Sequence, residues 1–350
     1  MGVRRNHATT AAFNRWQTLA LLSQAQCFSQ RQLAKATGLR TSTMSNIIRD
    51  LKGLGLIRDS GPLENNRVGP KEGGLEIDPD ATWAIGLQLD PTGHEIGLVN
   101  AAGHVIARRR LPPGRNWREV LESVPTVSSE LAAIARANPA ACAGLGVSVS
   151  GIVDSARGVV LYSRALGIQN ENLVALGEKL GVGPVMIERD VNCGLYAEHQ
   201  AGSGRPYQTF LYYLVRPGFA EPYNFGLGLM LNGRIFHGLS SASGELDPLL
   251  APDFPTESES GAGYDRFYRD CGVRLASLVN VLDIGYVVIA GDDPQFTEER
   301  LEFLREEMGR LLLPVPDRRL QISRAQLGEA GILQGAALLA VTRHFRGLLF

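Results

Sequence analysis

The stretch from Ser29 to Ile57 constrains the fold more than any other part of the sequence, because it contains two amphipathic helix patterns joined by a glycine. The first helix can begin at Ser29, whose hydroxyl can accept a backbone N–H of the first turn, and it can end before Gly38, since glycine tolerates the left-handed conformation. The second helix carries apolar residues at helical spacing, which predicts one buried stripe: Met44, Ile47, Ile48 and Leu51. The pattern predicts a helix-turn-helix.

The opposite face of the second helix carries side chains that can hydrogen-bond base edges or phosphates. They are Arg40, Thr41, Ser42, Ser45, Asn46 and Arg49. Hydroxyls, an amide and guanidinium groups of this kind are typical of a helix that lies in a DNA major groove. The alternative is an ordinary helical hairpin with a solvated polar face, and the apolar pattern alone does not separate the two.

Charge favours the DNA-binding interpretation. Residues 1–58 contain nine Lys or Arg and one acidic residue, Asp50, so this segment carries a net charge of +8. The whole chain carries −1, and the remaining residues therefore carry −9. A basic head on an acidic body predicts that the head alone binds a polyanion.

A third helix and a wing complete the predicted DNA-binding domain, which covers residues 1–79. The helix pattern runs from Asn14 to Gln24, and the wing is predicted from the Gly-, Pro- and Asn-rich segment 58–70 and the apolar alternation that follows it. Arg67 lies near the tip of this wing. It could contact a phosphate or the minor groove, or it could be a solvated loop charge.

Beyond residue 80 the pattern changes from helices to strands. Three short strand patterns, a long helix pattern from Trp117 and a further strand follow one another, and the same order returns from Thr209. This predicts an α/β fold with a duplicated unit: a first lobe over residues 80–202 and a second lobe over residues 203–350, whose last helix could return to the first lobe. A cleft between two such lobes is a common site for a small ligand.

The sequence argues against a membrane protein and against a disulfide-stapled domain. No run reaches the ~18 uncharged apolar residues of a membrane span, and the first residues lack the apolar segment of a signal peptide. The four cysteines are scattered without CxxC spacing, which predicts free thiols. We expect a cytoplasmic protein without a membrane partner.

Several motifs follow one another along the chain after the winged helix-turn-helix pattern: GVSVSGIVDSARGVV, RDVNCGLYAEHQAGSGR, NFGLGLMLNGRIFHG, SGEL and VVIAGDD. In this order they resemble the ROK family of sugar-responsive repressors and sugar kinases. The resemblance implies a two-lobed, actin-like (RNase H-like) ATPase domain behind the winged helix-turn-helix, and assembly into dimers or higher oligomers. It also implies a sugar ligand, because the family's kinases phosphorylate sugars and its repressors bind a sugar that changes their operator affinity.

The resemblance also indicates that ATP binding is lost. Family kinases have a DxGGT run that approaches the ATP phosphates, and in the matching stretch Gln88 replaces the Asp while Asp90 and Pro91 replace both glycines. A carboxylate and a residue without an N–H are poor neighbours for a triphosphate. We expect no ATP site.

Three residues match the family's sugar contacts. The Asn-Asp pair of the kinases, whose Asp is the general base, reads Arg189-Asp190 here, and Asn192 follows it. Glu245 matches the carboxylate of the GEIGH motif. Asp190, Asn192 and Glu245 are therefore candidate ligand-binding residues. Two alternatives stay open for Asp190: it could pair with Arg189, or it could cap a helix.

The residues that bind zinc in the family are missing from this sequence. Pro248 replaces the His of GEIGH, and the region 251–265, which matches the family's CxCGxxGC stretch, contains no cysteine. A closed structural zinc site needs such thiolates. We expect neither zinc nor another cofactor.

Together these patterns predict a transcriptional regulator, a repressor in the sense of the family, that binds a double-stranded DNA operator as a homodimer or homotetramer. A sugar or sugar-like effector between the lobes would control it, without kinase activity. Two alternatives remain from the sequence. One is a sugar kinase with an accessory DNA-binding head, which Gln88 and Pro91 oppose, and the other is a ligand-independent regulator that uses its lobes for oligomerisation.

Overall fold

The computed structural model describes residues 7–24, 27–62, 73–90, 92–112, 116–215, 225–245, 261–291, 297–316 and 319–350. The chain forms two compact units. The first contains Met1–Cys193 together with Leu333–Phe350, and the second contains Gly194–Ile332. The domain boundaries expected after residues 79 and 202 stay predictions.

The first unit begins with a winged helix-turn-helix. Its elements in chain order are α1 (His7–Gln24), β1 (Phe28–Ser29), α2 (Gln30–Thr37), α3 (Thr41–Gly53), β2 (Ile57–Pro62) and β3 (Gly73–Ile77). The strands form an antiparallel sheet in the order β1-β3-β2. The predicted helix-turn-helix and two-stranded wing are confirmed, and the short strand β1 is an addition that the sequence did not indicate.

The ends of α2 form for the reasons that the sequence indicated. The Ser29 hydroxyl accepts the N–H of Gln32 at 3.2 Å, and the Gln32 side chain accepts the N–H of Ser29 at 2.7 Å, which makes a capping box. Gly38 has a φ of +70° and ends the helix in the left-handed region. The apolar stripes of the three helices are buried together: Leu19, Leu22, Leu33, Met44, Ile47, Ile48 and Leu51.

A five-stranded mixed sheet forms the main body of the first unit. The elements that follow the wing are β4 (Trp83–Leu89), β5 (Glu95–Asn100), β6 (Val105–Arg110), α4 (Trp117–Ala135), β7 (Cys142–Val149), β8 (Ile152–Asp154), β9 (Val159–Ser163), β10 (Ile168–Asn172), α5 (Leu173–Glu178), β11 (Val185–Arg189) and α6 (Asp190–Ala201). The sheet order is β11-β7-β4-β5-β6, with β4, β7 and β11 parallel. The strands β8, β9 and β10 make a small antiparallel sheet of their own.

The second unit contains a sheet of the same design. Its elements are β12 (Phe210–Val215), β13 (Phe225–Leu231), β14 (Arg234–Ile235), α7 (Gly261–Leu282), β15 (Tyr286–Ala290), α8 (Glu298–Leu311) and β16 (Gln321–Arg324). The order is β14-β13-β12-β15-β16, so three antiparallel strands are again continued by parallel ones. The predicted α/β fold with a duplicated unit is confirmed.

The last helix, α9 (Gly331–Leu349), packs closely on the sheet of the first unit. A Cβ on Gly146 of β7 would lie 1.8 Å from the carbonyl oxygen of Ala336, so only glycine allows the two backbones to approach this closely. Near the other end of α9, the guanidinium carbon of Arg346 lies 4.5 Å from the ring centroid of Trp16 in α1. Helix α9 therefore contacts both the sheet and the winged helix-turn-helix.

Candidate nucleic-acid interface and ligand site

Helix α3 exposes the residues predicted to contact DNA while its apolar side is buried. The exposed set comprises Arg40, which immediately precedes the helix, together with Thr41, Ser42, Ser45, Asn46 and Arg49. A major groove admits an α-helix, and these side chains include both donors and acceptors for base edges and phosphates. The structure therefore presents the expected surface, and the contacts with DNA stay a prediction.

Ion pairing leaves this surface electropositive. Asp50, the only acidic residue of the first 58, lies 2.5 Å from Nη2 of Arg15 and is neutralised by it. By contrast, Lys35, Arg40 and Arg49 are exposed and have no ion-pair partner among the described residues. Lys35 lies in the last turn of α2, and its only signal in the sequence was the surplus of positive charge.

The N-terminus of α3 adds further positive potential. Arg40 is the N-cap residue and makes no side-chain cap, unlike Ser29 at the start of α2. Uncapped first-turn N–H groups and the helix dipole both favour an anion such as a phosphate.

The predicted wing contact, Arg67, lies outside the described residues. The strands that lead to it are described, and they pair from Ile57 with Ile77 to Pro62 with Gly73. The role of Arg67 stays a prediction.

Two candidate ligand residues lie at the start of α6, directly after the parallel strand β11. Asp190 is half-buried, and its Oδ1 accepts the N–H of Val191 at 2.7 Å. Asn192 is 2% exposed and donates from Nδ2 to Oε1 of Glu188 at 2.9 Å. Residues at the carboxyl ends of parallel strands are well placed for a ligand, but this side-chain donor of Asn192 is already engaged.

Sequence reasoning missed Glu188, which organises this region. Its carboxylate is 3% exposed and also accepts the hydroxyl of Ser155 at 2.8 Å and the N–H of Arg189 at 2.8 Å. Burial raises the pKa of the nearby Cys193 thiol well above its ordinary value, and the charges of Glu188 and Asp190 raise it further. That thiol is therefore protonated at neutral pH and is a poor nucleophile.

The third candidate ligand residue, Glu245, belongs to the second unit and is exposed. A different acid of that unit, Glu198 in α6, is buried and serves the fold. Its carboxylate accepts the N–H and hydroxyl of Ser203 at 2.7 and 2.8 Å and the N–H of Leu327 at 2.9 Å. The ligand role of Glu245 stays a prediction.

The stretch that matches the ATP-phosphate loop is closed on itself. Asp90 is 5% exposed, and its Oδ1 accepts both the N–H of Thr92 at 2.9 Å and the Thr92 hydroxyl at 2.7 Å. The neighbouring Gln88 side chain has a buried Oε1 without a hydrogen-bond partner among the described residues. A buried carboxylate with its own partners does not fit a triphosphate, and the expected absence of an ATP site stays a prediction.

Pro248 and residues 251–260, which belong to the stretch that matches the family's zinc site, lie outside the described residues, so the expected absence of zinc stays a prediction. The four cysteines are free, and they lie at unrelated places in the fold. Among the described residues, no group of three His, Cys, Asp or Glu side chains is arranged to hold a metal ion. The same part of the chain contains no helix that is long and apolar enough to cross a membrane.

Comparison with known families agrees with this geometry. Residues 84–253 match the ROK family, and residues 14–68 match the MarR family. The chain carries a ROK family domain behind a MarR-type winged helix. The two matches are separated by residues 69–83, which contain β3 and the first residue of β4, and the structure changes there from winged helix to mixed sheet.

Several curated relatives of this chain are repressors by name. The putative xylose repressor of Caldicellulosiruptor sp. strain Rt8B.4 is 25% identical over 243 residues, which are 69% of this chain and 59% of that protein. The DNA-binding transcriptional dual regulator NagC of Escherichia coli K12 is 24% identical over 228 residues, which are 65% of this chain and 54% of that protein. The matched regions therefore span little more than half the length of these relatives.

Solved structures share the fold. A ROK family transcriptional regulator described as a homologue of the E. coli MLC protein superposes with a TM-score of 0.74 at 18% identity, over 97% of this chain and 98% of that one. The ROK hexokinase of Thermus thermophilus superposes with a TM-score of 0.59 at 22% identity, over 73% of this chain and 97% of that one. The regulator match includes the winged helix, whereas the hexokinase match covers a smaller share of this chain.

Proposed function

We propose that this protein is a sequence-specific DNA-binding transcriptional repressor that responds to a sugar. The observation that carries the proposal is the exposed, polar and basic surface of α3, a helix whose single acidic residue, Asp50, is neutralised by Arg15. The names of the relatives, xylose repressor and N-acetylglucosamine repressor, support the same class. The proposed location is the cytoplasm, because the operator DNA lies there.

Operator binding requires at least two copies of the chain in this proposal. Helix-turn-helix proteins commonly dock as dimers, with two recognition helices about one helical turn apart on a near-palindromic site. A homodimer or homotetramer of this chain would present two α3 helices in that way. The proposed operator is therefore an inverted repeat.

The proposed effector is a pentose or an N-acetylated amino sugar, by the names of the relatives. Asp190, Asn192 and Glu245 are its proposed contacts. Helix α9 offers a physical connection from α6 to the winged helix: a Cβ on Gly335 would lie 1.8 Å from the carbonyl oxygen of Cys193 in α6, and Arg346 packs on Trp16 in α1. A sugar that prefers one arrangement of α6 can change DNA affinity only by its differential affinity for the two states, typically ~1–3 kcal/mol.

A sugar kinase is the second candidate, because ROK kinases share the fold. The closed turn at Asp90 argues against it, since the carboxylate and the Thr92 hydroxyl bind each other where the family's glycines expose N–H groups. We therefore propose a regulator without kinase activity. ATP turnover that depends on a sugar and is abolished by Asp190→Asn would instead support the kinase.

Selection of genomic fragments on the purified full chain tests the proposal, at a stated salt concentration because phosphate contacts make affinity salt-dependent. The test variant is the double substitution Asn46→Ala with Arg49→Ala. The control is Lys179→Ala, which removes an exposed cation outside the winged helix-turn-helix. We expect a few fragments that share an inverted repeat, lost in the double variant and kept in the control. Equal enrichment by the wild type and the double variant would reject the proposed α3 interface.

The effector is then sought with the selected DNA as probe. Xylose, N-acetylglucosamine and glucose are titrated against the complex, with glycerol as a polyol control. Saturable release of the DNA by one sugar supports the proposed regulation. Release by none, together with no sugar-dependent rise in melting temperature, would favour the ligand-independent regulator.

A further inference from the structure

The hydroxyl of Ser45 lies at the centre of the α3 surface, and its hydrogen-bonding capacity is largely used within the protein. Its Oγ donates to the carbonyl oxygen of Thr41 at 3.0 Å, one helical turn back. The same Oγ accepts from Nε2 of Gln30, the first residue of α2, at 2.7 Å. A serine hydroxyl has one proton and two lone pairs, so only one lone pair is left for a partner outside the protein.

The direction of this hydrogen-bond chain follows from the carbonyl group of Thr41. The Nε2 of Gln30 also lies 3.4 Å from the Thr41 carbonyl oxygen. A carbonyl oxygen only accepts, so the amide nitrogen of Gln30, and not its oxygen, must face this point. Gln30 therefore donates to Ser45, and Ser45 donates to the Thr41 carbonyl oxygen. Toward any partner outside the protein, the hydroxyl of Ser45 can then act only as an acceptor.

We propose that Ser45 reads a base of the operator only as a hydrogen-bond acceptor, and that Gln30 is the residue that imposes this choice. The inference rests on the proposed DNA-binding function and specifies its chemistry. Ser45 is exposed on the side of α3 that carries Ser42 and Arg49, where a bound base can approach its hydroxyl oxygen. Gln30 acts through Ser45 and is a positioning residue.

The acceptor role selects a chemical class of base. In the major groove adenine presents the N6 amino group and cytosine presents the N4 amino group, and both donate. Guanine O6 and N7 and thymine O4 only accept, and they would meet a lone pair of Ser45. A free serine does not discriminate in this way, because its hydroxyl can rotate to donate or accept. The operator position that faces Ser45 should therefore be A or C on the contacted strand.

Selection from a random double-stranded DNA library tests this inference with four forms of the full chain. These are the wild type, Ser45→Ala, Gln30→Met and the control Ser42→Ala, which removes a neighbouring exposed hydroxyl. Methionine has about the length of glutamine but donates no hydrogen bond. All three sites lie outside the apolar core, so we expect the variants to fold. Thermal unfolding of each form checks this.

The position read by Ser45 is the one whose preference disappears in Ser45→Ala and persists in Ser42→Ala. At that position we expect the wild type to prefer A or C over G or T by about fivefold or more, the size of one well-placed hydrogen bond. Gln30→Met should reduce that preference to about twofold or less, because the released hydroxyl can also donate, while preferences at the other positions stay as in the wild type.

Three results would overturn the inference while leaving the proposed function intact: a preference for G or T at that position, an unchanged preference in Gln30→Met, or no position that responds to Ser45→Ala. Failure of the proposed function looks different. In that case the wild type itself enriches no sequence over the starting library, in the absence or presence of the sugars tested above. The two failures are therefore distinguished in one experiment.

Discussion

Asp50 in α3 binds Arg15 in α1 through a single carboxylate oxygen, which lies 2.5 Å from Nη2 and 3.1 Å from Nε of the guanidinium. This ion pair joins α3 to α1. It also cancels the only negative charge in a segment with nine cations. One interaction thus serves both the packing and the electrostatics of the proposed DNA surface.

Replacing Asp50 with Asn should separate these two effects. Because both side chains are about one-third exposed (32% and 35%), we expect the free energy of unfolding to fall by only ~0.5–1 kcal/mol. Freeing Arg15 should strengthen non-specific DNA binding and steepen its salt dependence by up to about one counterion. Urea unfolding and DNA titrations at several salt concentrations measure the two quantities. Asp154→Asn, an acid near Arg157 in the mixed-sheet domain, is the control and should leave DNA binding unchanged.

Arg49→Ala and Lys35→Ala should affect DNA binding in different ways. Arg49 lies on the α3 surface, so Arg49→Ala should cost roughly 1–3 kcal/mol of operator affinity and relax the preference at one base position. Lys35 lies at the end of α2, so Lys35→Ala should weaken specific and non-specific DNA equally and reduce the salt slope by about one. Titrations of operator and scrambled DNA with both variants decide this. Equal losses on both DNAs for Arg49→Ala would show that Arg49 binds only phosphate.

The packing of Arg346 on Trp16 predicts a variant that loses regulation and keeps binding. Arg346→Ala removes the contact of α9 with α1 but touches neither the α3 surface nor Asp190. We expect operator affinity without sugar, and sugar affinity without DNA, to change by less than about twofold, while the ratio between operator affinities with and without sugar falls. The two-ligand titration measures all these quantities. Arg346→Lys keeps a cation over the ring and should restore part of the ratio.

The winged helix was predictable because its signals are local. Ser29 with Gln32 caps α2, Gly38 ends it, and both effects depend on a few neighbouring residues. The strands β8, β9 and β10 were missed because each is only three to five residues long and lies in a glycine-marked segment without regular alternation. Patterns of ordinary length predicted four strands of each five-stranded sheet, whereas the fifth strand of each, β11 and β16, was missed.

The candidate site was less predictable, because residue types do not reveal partners. Asn192 matches a ligand position in the sequence, but only the fold shows that its amide is bound to Glu188. Asp90 reads as an unsuitable neighbour for phosphate, and the structure adds that Thr92 closes the turn around it. In the same way, Ser45 was predictable as an exposed hydroxyl, whereas the hydrogen bond from Gln30 joins two helices and depends on how they pack.

The contact between β7 and α9 predicts a severe loss of stability from one methyl group. A Cβ at position 146 would overlap the carbonyl oxygen of Ala336, at 1.8 Å, and neither backbone can move without disturbing the sheet or the helix. We expect Gly146→Ala to lower the free energy of unfolding by about 3 kcal/mol or more. Urea unfolding measures this. Gly53→Ala, at an open helical position, is the matched control and should be neutral or slightly stabilising.

A buried imidazole predicts how stability depends on pH. His199 in α6 is 0% exposed and lies against Phe210, and burial lowers its pKa from 6.5 to about 4. Between these two pH values the unfolded chain binds a proton that the folded chain does not, so folding stability falls as the pH falls from about 6.5 to about 4. A shift of this size corresponds to a loss of about 3 kcal/mol.

Comparison with His199→Gln isolates this contribution from that of the carboxylates. We expect the wild type to lose about 3 kcal/mol more stability than the variant between pH 7 and pH 4, as measured by urea unfolding at each pH. His104→Gln, which removes an exposed imidazole, should follow the wild type. Identical pH profiles for the wild type and His199→Gln would mean that the folded protein accommodates the charged ring, and the neutral, buried state inferred for His199 would then be wrong.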